Sequence, residues 1–144
     1  MKTLFTYLMV FTLGFQLLDC SKSKTAPAPK PFPVADYQYT GYDKNHVKIV
    51  EGTLSVASIA AGEIRGTWSL RKIGDPQAIG PQVGSGEFVG QLDEGQANIN
   101  LNPNMADNNV NLSGKFDKDR FSGTWTHSGF AGPMNQGSFE AKRK

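Results

Sequence analysis

From Asp36 onward the chain predicts an all-β domain, a small antiparallel up-and-down barrel or curled meander of about eight strands. Three observations carry this: side-chain alternation with a period of two, turn signals at short intervals, and an internal repeat. Successive side chains of a strand point to opposite faces. In Glu63–Arg71, Ile64, Gly66, Trp68 and Leu70 share one face, while Glu63, Arg65, Thr67, Ser69 and Arg71 share the other. Ala97, Ile99 and Leu101 likewise oppose Gln96, Asn98, Asn100 and Asn102. Val110, Leu112, Gly114 and Phe116 oppose Asn109, Asn111, Ser113, Lys115 and Asp117. No comparable stretch has helical spacing.

Apolar-alternating runs place strands near 37–42, 46–55, 63–71, 86–93, 96–102, 109–117, 120–127 and 137–142. Asp93-Glu94-Gly95 and Asp117-Lys118-Asp119 read as tight hairpin connections. Longer loops are expected at Ala57–Gly62, Lys72–Gly84, Asn102–Asn108 and Ser128–Gln136, which are rich in Gly, Pro, Asn or Asp. Mostly hairpin links among about eight strands suit a barrel, which removes exposed sheet edges. A transmembrane barrel also alternates, but these strands are short and the chain ends in Lys142-Arg143-Lys144 rather than an aromatic belt.

The repeat matches Gly62–Leu70 to Asp119–His127, pairing Gly66-Thr67-Trp68 with Gly123-Thr124-Trp125. Each copy leads, through a Gly/Pro loop, to a Gly-x-Phe strand start at Gly86-Glu87-Phe88 and Gly137-Ser138-Phe139. Two copies do not make a solenoid; two related sheet halves explain them. Glycine two residues before each Trp, on the inward face, leaves room for a neighbouring ring or a sharp bend.

Upstream of the domain the composition changes twice. Lys2 is followed by Leu4–Leu18, a run without charge. It is shorter than the 20 or so residues of a spanning helix and has the layout of a secretory signal. Cys20, the single cysteine, follows at Leu17-Leu18-Asp19-Cys20. Residues 21–35 then alternate Pro27, Pro29, Pro31 and Pro33 with other residues and carry Lys22, Lys24 and Lys30. Such a stretch favours extended polyproline geometry and acts as a spacer. The division expected is 1–19 signal peptide, 20–35 tether and 36–144 barrel.

Leu17–Cys20 resembles the cleavage site of bacterial lipoproteins. The resemblance implies cutting before Cys20, acylation of that residue, and a lipid-anchored place in the cell envelope. Ser21 in place of an acidic retention residue implies the outer membrane. Asp19 departs from the small residue usual before the cut. Two or more acyl chains anchor stably, whereas one binds only marginally.

The net charge of +2 is concentrated outside the domain, and no basic stripe with interleaved aromatics exists, so nucleic acid is not an expected partner. With Cys20 modified, no thiol remains for a disulfide, a metal site or a nucleophile. His46 belongs to a turn after Asp43-Lys44-Asn45 and is expected to face solvent. His127 follows Trp125 on the inward face, where its repeat partner is Leu70. That position is either the mouth of the barrel or a strand end emerging into water. Scattered carboxylates and Ser-Gly contexts such as Gly84-Ser85-Gly86 make neither a hydrolase pair nor a nucleophile elbow. Asp107 among amides makes a poor calcium cage. Neither an enzyme nor a bound cofactor is expected.

Trp68, Trp125, Phe88, Phe116, Phe121 and Phe139 all fall on inward positions. They either fill the core or line an apolar pocket, with Trp68, Trp125 and His127 the candidate ligand contacts. The Gly-x-Trp strand is similar to the first strand of lipocalins and avidins, a likeness of architecture that transfers no ligand residues. The run from Leu101 to Lys142 resembles a pattern common to small secreted bacterial proteins, a family that implies no activity. The function expected is a lipid-anchored, non-catalytic binding barrel for a small apolar ligand or a protein partner. The alternative is an inhibitor of a secreted enzyme acting through Lys72–Gly84 and Ser128–Gln136.

Overall fold

The computed structural model describes residues 33–144 except 77, 78 and 81. The signal, Cys20 and most of the tether lie outside the described residues. The strands are β1 (Asp36–Tyr42), β2 (Lys48–Ala60), β3 (Glu63–Lys72), β4 (Gly84–Asp93), β5 (Gln96–Asn100), β6 (Asn108–Asp117), β7 (Arg120–Gly129) and β8 (Gly132–Arg143). They form one closed antiparallel barrel in sequence order, with β1 pairing β8 from Tyr37↔Arg143 to Tyr42↔Ser138. The all-β, up-and-down architecture is as the alternation predicts.

Two expected loops are strand instead. Ala57–Gly62 continues β2 to Ala60, and the turn is only Ala61-Gly62, both with positive φ (49° and 83°). A bulge between Val56 and Ser58 breaks the alternation there, so the period-two signal is lost while the ladder continues. Ser128–Gln136 is also mostly strand. β7 and β8 meet at a Phe130-Ala131 tip, and a second bulge at His127/Ser128 disturbs the pattern. The two tight turns expected at Glu94-Gly95 and Lys118-Asp119 are present, with positive φ at Glu94, Gly95 and Lys118. Lys72–Gly84 and Asn102–Asn108 do hold loops, and β5 stops at Asn100.

The inward faces supply a core running from Tyr37 and Tyr39 through Leu54, Ile64, Trp68 and Phe88 to Leu112, Phe121, Trp125 and Phe139. Tyr39 stacks on Phe139 at 5.8 Å, and Phe139 meets Phe121 edge-on at 4.7 Å. Phe116 packs against the cluster from its edge, near Tyr37. The barrel interior is therefore occupied by side chains, as eight strands allow.

Strand direction sorts the connections to two ends. Turns 61–62, 94–95 and 118–119 share one end with both termini of the described chain, where Lys144 N–H donates to Asp36 O at 2.9 Å. Loops 43–47, 73–83 and 101–107, and the Phe130-Ala131 tip, form the far end.

Candidate functional site

The repeat explains why the two tryptophans sit as they do. Trp68 on β3 pairs with Leu54 on one side and Gly86 on the other; Trp125 on β7 pairs with Leu112 and Gly137. In each half the glycine gives the indole room to cross the neighbouring strand and reach the one beyond it. Trp68 Nε1 donates to Leu101 O at the end of β5 at 2.6 Å. Trp125 Nε1 donates to Tyr42 O at the end of β1 at 2.8 Å. Each indole thus pins three strands together. A Cβ on Gly66 would lie 2.5 Å from the Phe88 ring, so the repeat's other glycine makes room for that aromatic.

The two indoles stand on opposite walls of an eight-stranded ring. Their polar atoms are satisfied by the protein's own carbonyls, and both side chains are buried. The structure does not gather Trp68, Trp125 and His127 around a common opening.

His127 breaks the equivalence of the halves, standing where Leu70 stands in the first copy. It is not a strand end emerging into water: it is only 7% exposed. One ring nitrogen, Nε2, lies 2.8 Å from Asn108 Oδ1, while buried Nδ1 has no partner among the described residues. The ring is covered by Gly80, whose φ is 61° and whose missing Cβ would fall 2.7 Å from Nδ1. A side chain there would strike the imidazole.

Gly80 belongs to the connection between β3 and β4, whose residues Gly80 and Gln82 reach in over the far end of the barrel. Gln82 from this loop is fully buried, accepting from Tyr39 Oη at 2.9 Å and donating Nε2–H to Ile79 O at 3.0 Å. Burial raises the Tyr39 hydroxyl far above its ordinary range, so it stays a neutral donor. Burial likewise pushes Tyr37 up to about 12; its hydroxyl donates to Pro33 O at 2.8 Å. The far end is plugged by an amide held in an apolar barrel.

Around the plug runs a rim. Asp43 Oδ1 accepts from the backbone N–H groups of Asn45 and Val47, shaping the β1–β2 connection. His46 is solvent-exposed, as expected, stacked on Tyr42 at 4.4 Å with Nδ1 3.3 Å from Ser138 Oγ. A shallow cleft of about 520 Å³ lies between Asp43-Lys44 and Pro133–Gln136. Among the described residues, most of the large apolar side chains that reach solvent stand on this rim: Val47, Val83, Met105, Phe130 and Met134, with Val34 at the other end. Phe130 is 98% exposed at the tip of its hairpin.

Sequence reasoning missed Gln82, Gly80 and the rim. Gln82 and Gly80 look like ordinary loop residues, and nothing local says that their loop turns inward. Phe130 left a signal: an aromatic between Gly129 and Gly132 has no alternating neighbours with which to be buried.

Among the described residues no group of three or more His, Cys, Asp and Glu side chains is placed to hold a metal ion. No helix there is long and apolar enough to cross a membrane. Comparison of the chain with protein-family models, curated proteins and solved structures gives no match.

Proposed function

We propose that this chain is a lipid-anchored protein of the cell envelope whose barrel is a non-catalytic interaction module, working through its far end. The observation that carries the reading is polarity. The tether joins the barrel at the end where the C-terminus also lies, and the exposed apolar side chains crowd the other end. The Leu17–Cys20 sequence supplies the anchor, and dual acylation gives stable retention. The packed interior favours surface contact over a small apolar ligand held inside.

The inhibitor reading has less support. Of its two contact loops, Ser128–Gln136 is largely paired strand, and 73–83 is folded onto the barrel mouth through Gln82.

The anchor is tested by Cys20→Ser in a bacterial host. The variant is expected to leave the membrane fraction or to accumulate unprocessed. Unchanged membrane partitioning of a processed, unacylated chain would sink the proposal.

A further inference from the structure

We infer that the far rim of the barrel is a lipid-contacting surface, resting on the headgroup–acyl boundary of the bilayer that holds the anchor. This deepens the reading above and rests on it for the tether.

Val47, Val83, Met105 and Phe130 lie on four separate connections and Met134 at the start of β8, all at the end away from the termini. Connections in sequence order around a closed barrel spread these side chains into a ring about the plug. A bilayer interface accepts several such side chains at once without a shaped pocket for each. Phe130, 98% exposed on a two-residue tip, is the most prominent. Aromatic and aliphatic side chains on a solvated frame are what interfacial binding uses.

Size points the same way. The end of an eight-stranded barrel presents roughly 400–500 Å². A standard protein interface buries about 800 Å² of accessible surface per partner, so an end of this footprint is small for a second copy or a strong protein partner by itself. A weak lipid contact needs no such area when a tether raises its effective concentration.

Reach permits it. The positions between Cys20 and Pro33 span about 40 Å of contour at about 3.1 Å each. Ten-residue strands such as β3, tilted in a barrel, rise only about 25 Å. The domain can therefore lie over and touch the bilayer with its far end.

Charge at this end is balanced. Asp43, Asp75 and Asp107 stand against Lys44, Lys48 and Lys72, with Lys72 paired to Asp75 at 3.3 Å. Anionic lipid is not required, and the contact is apolar in origin.

Residues 33–144 close into one barrel with its own core, so this domain can be tested without signal or anchor. The experiment is flotation with phosphatidylcholine vesicles at millimolar lipid, in low and high salt. The domain is expected to float in both, and Phe130→Ser to lower the partition coefficient about fivefold or more. Adding Met134→Ser should bring flotation to background, while Val34→Ser at the other end changes nothing. Thermal midpoints check that the variants are folded.

No flotation of the unaltered domain, equal flotation of the rim variants, or a requirement for anionic lipid at low salt would overturn the inference. So would rim substitutions that spare vesicle binding but abolish cross-linking to an envelope protein. Failure here with Cys20→Ser still released from membranes leaves the anchor standing; membrane retention of Cys20→Ser that persists when Phe130→Ser and Met134→Ser are added removes the anchor alone.

Discussion

Gly137→Ala probes the indole staple directly. A methyl group at this position would lie 2.6 Å from Trp125 Nε1 and 2.8 Å from Cε2, and nearer still to Tyr42 O. The obstacles are backbone and a ring already locked by a hydrogen bond, so neither can swing aside cheaply. Overpacking of this kind costs about 1–3 kcal/mol. Distorting the buried Trp125–Tyr42 hydrogen bond adds about 1 kcal/mol. The expected loss is about 2–4 kcal/mol, or roughly 8–16 °C in Tm for a domain of this size. Urea unfolding of residues 33–144, followed by far-UV circular dichroism, measures it. Gly86→Ala is the comparison: its nearest approach is Trp68 Nε1 at 3.0 Å, so its loss should be about 1 kcal/mol. In a Trp125→Phe background the Gly137→Ala cost should shrink by about 1 kcal/mol or more, because the indole edge is gone. A cost below about 0.5 kcal/mol, or strict additivity with Trp125→Phe, would refute the staple.

Two further outcomes are expected of the plug and its tyrosine. Gln82→Ala leaves the Tyr39 hydroxyl buried without its acceptor, a penalty of about 1–3 kcal/mol; limited proteolysis should then cut within 73–83 before any strand, and equal protection of that loop would argue against the plug. Tyr39 also sets an alkaline limit: its folded pKa is raised above the unfolded value near 10, so its contribution is fully present below that pH and lost as pH rises. Each pH unit above about 10 should cost about 1.4 kcal/mol for this group, read as a falling urea midpoint whose slope Tyr39→Phe with Gln82→Leu reduces by about half up to pH 12, where Tyr37 contributes the rest.

The fold was legible because its wall obeys one rule nearly throughout. Ile64, Trp68 and Leu70 are buried and Arg65, Thr67 and Ser69 exposed, as alternation alone dictates. It failed at Ala57-Ser58 and at His127-Ser128, where an extra residue slips the period while pairing continues. The repeat foretold that Gly66 makes room for a ring, since Phe88 crosses it. It could not foretell which carbonyls receive the indoles, because Leu101 and Tyr42 come from strands two places away around the ring. His127 shows the sharpest limit. Its burial depends on a loop some fifty positions earlier folding inward over it through Gly80 and Gln82, a long-range event without periodicity of its own.

The seam between β1 and β8 has a consequence for when this protein can exist at all. Its partners, such as Tyr37 and Arg143, stand roughly a hundred positions apart in a chain whose other ladders are all between neighbours. Loop-closure entropy makes such a pairing the costliest of the ladders to nucleate directly. Until the final strand is made, β1 and β7 remain open edges and Tyr39 lacks the ring of Phe139 against which it stacks. A chain that has not yet placed β8 is thereby kept from locking shut, and that strand acts as the latch.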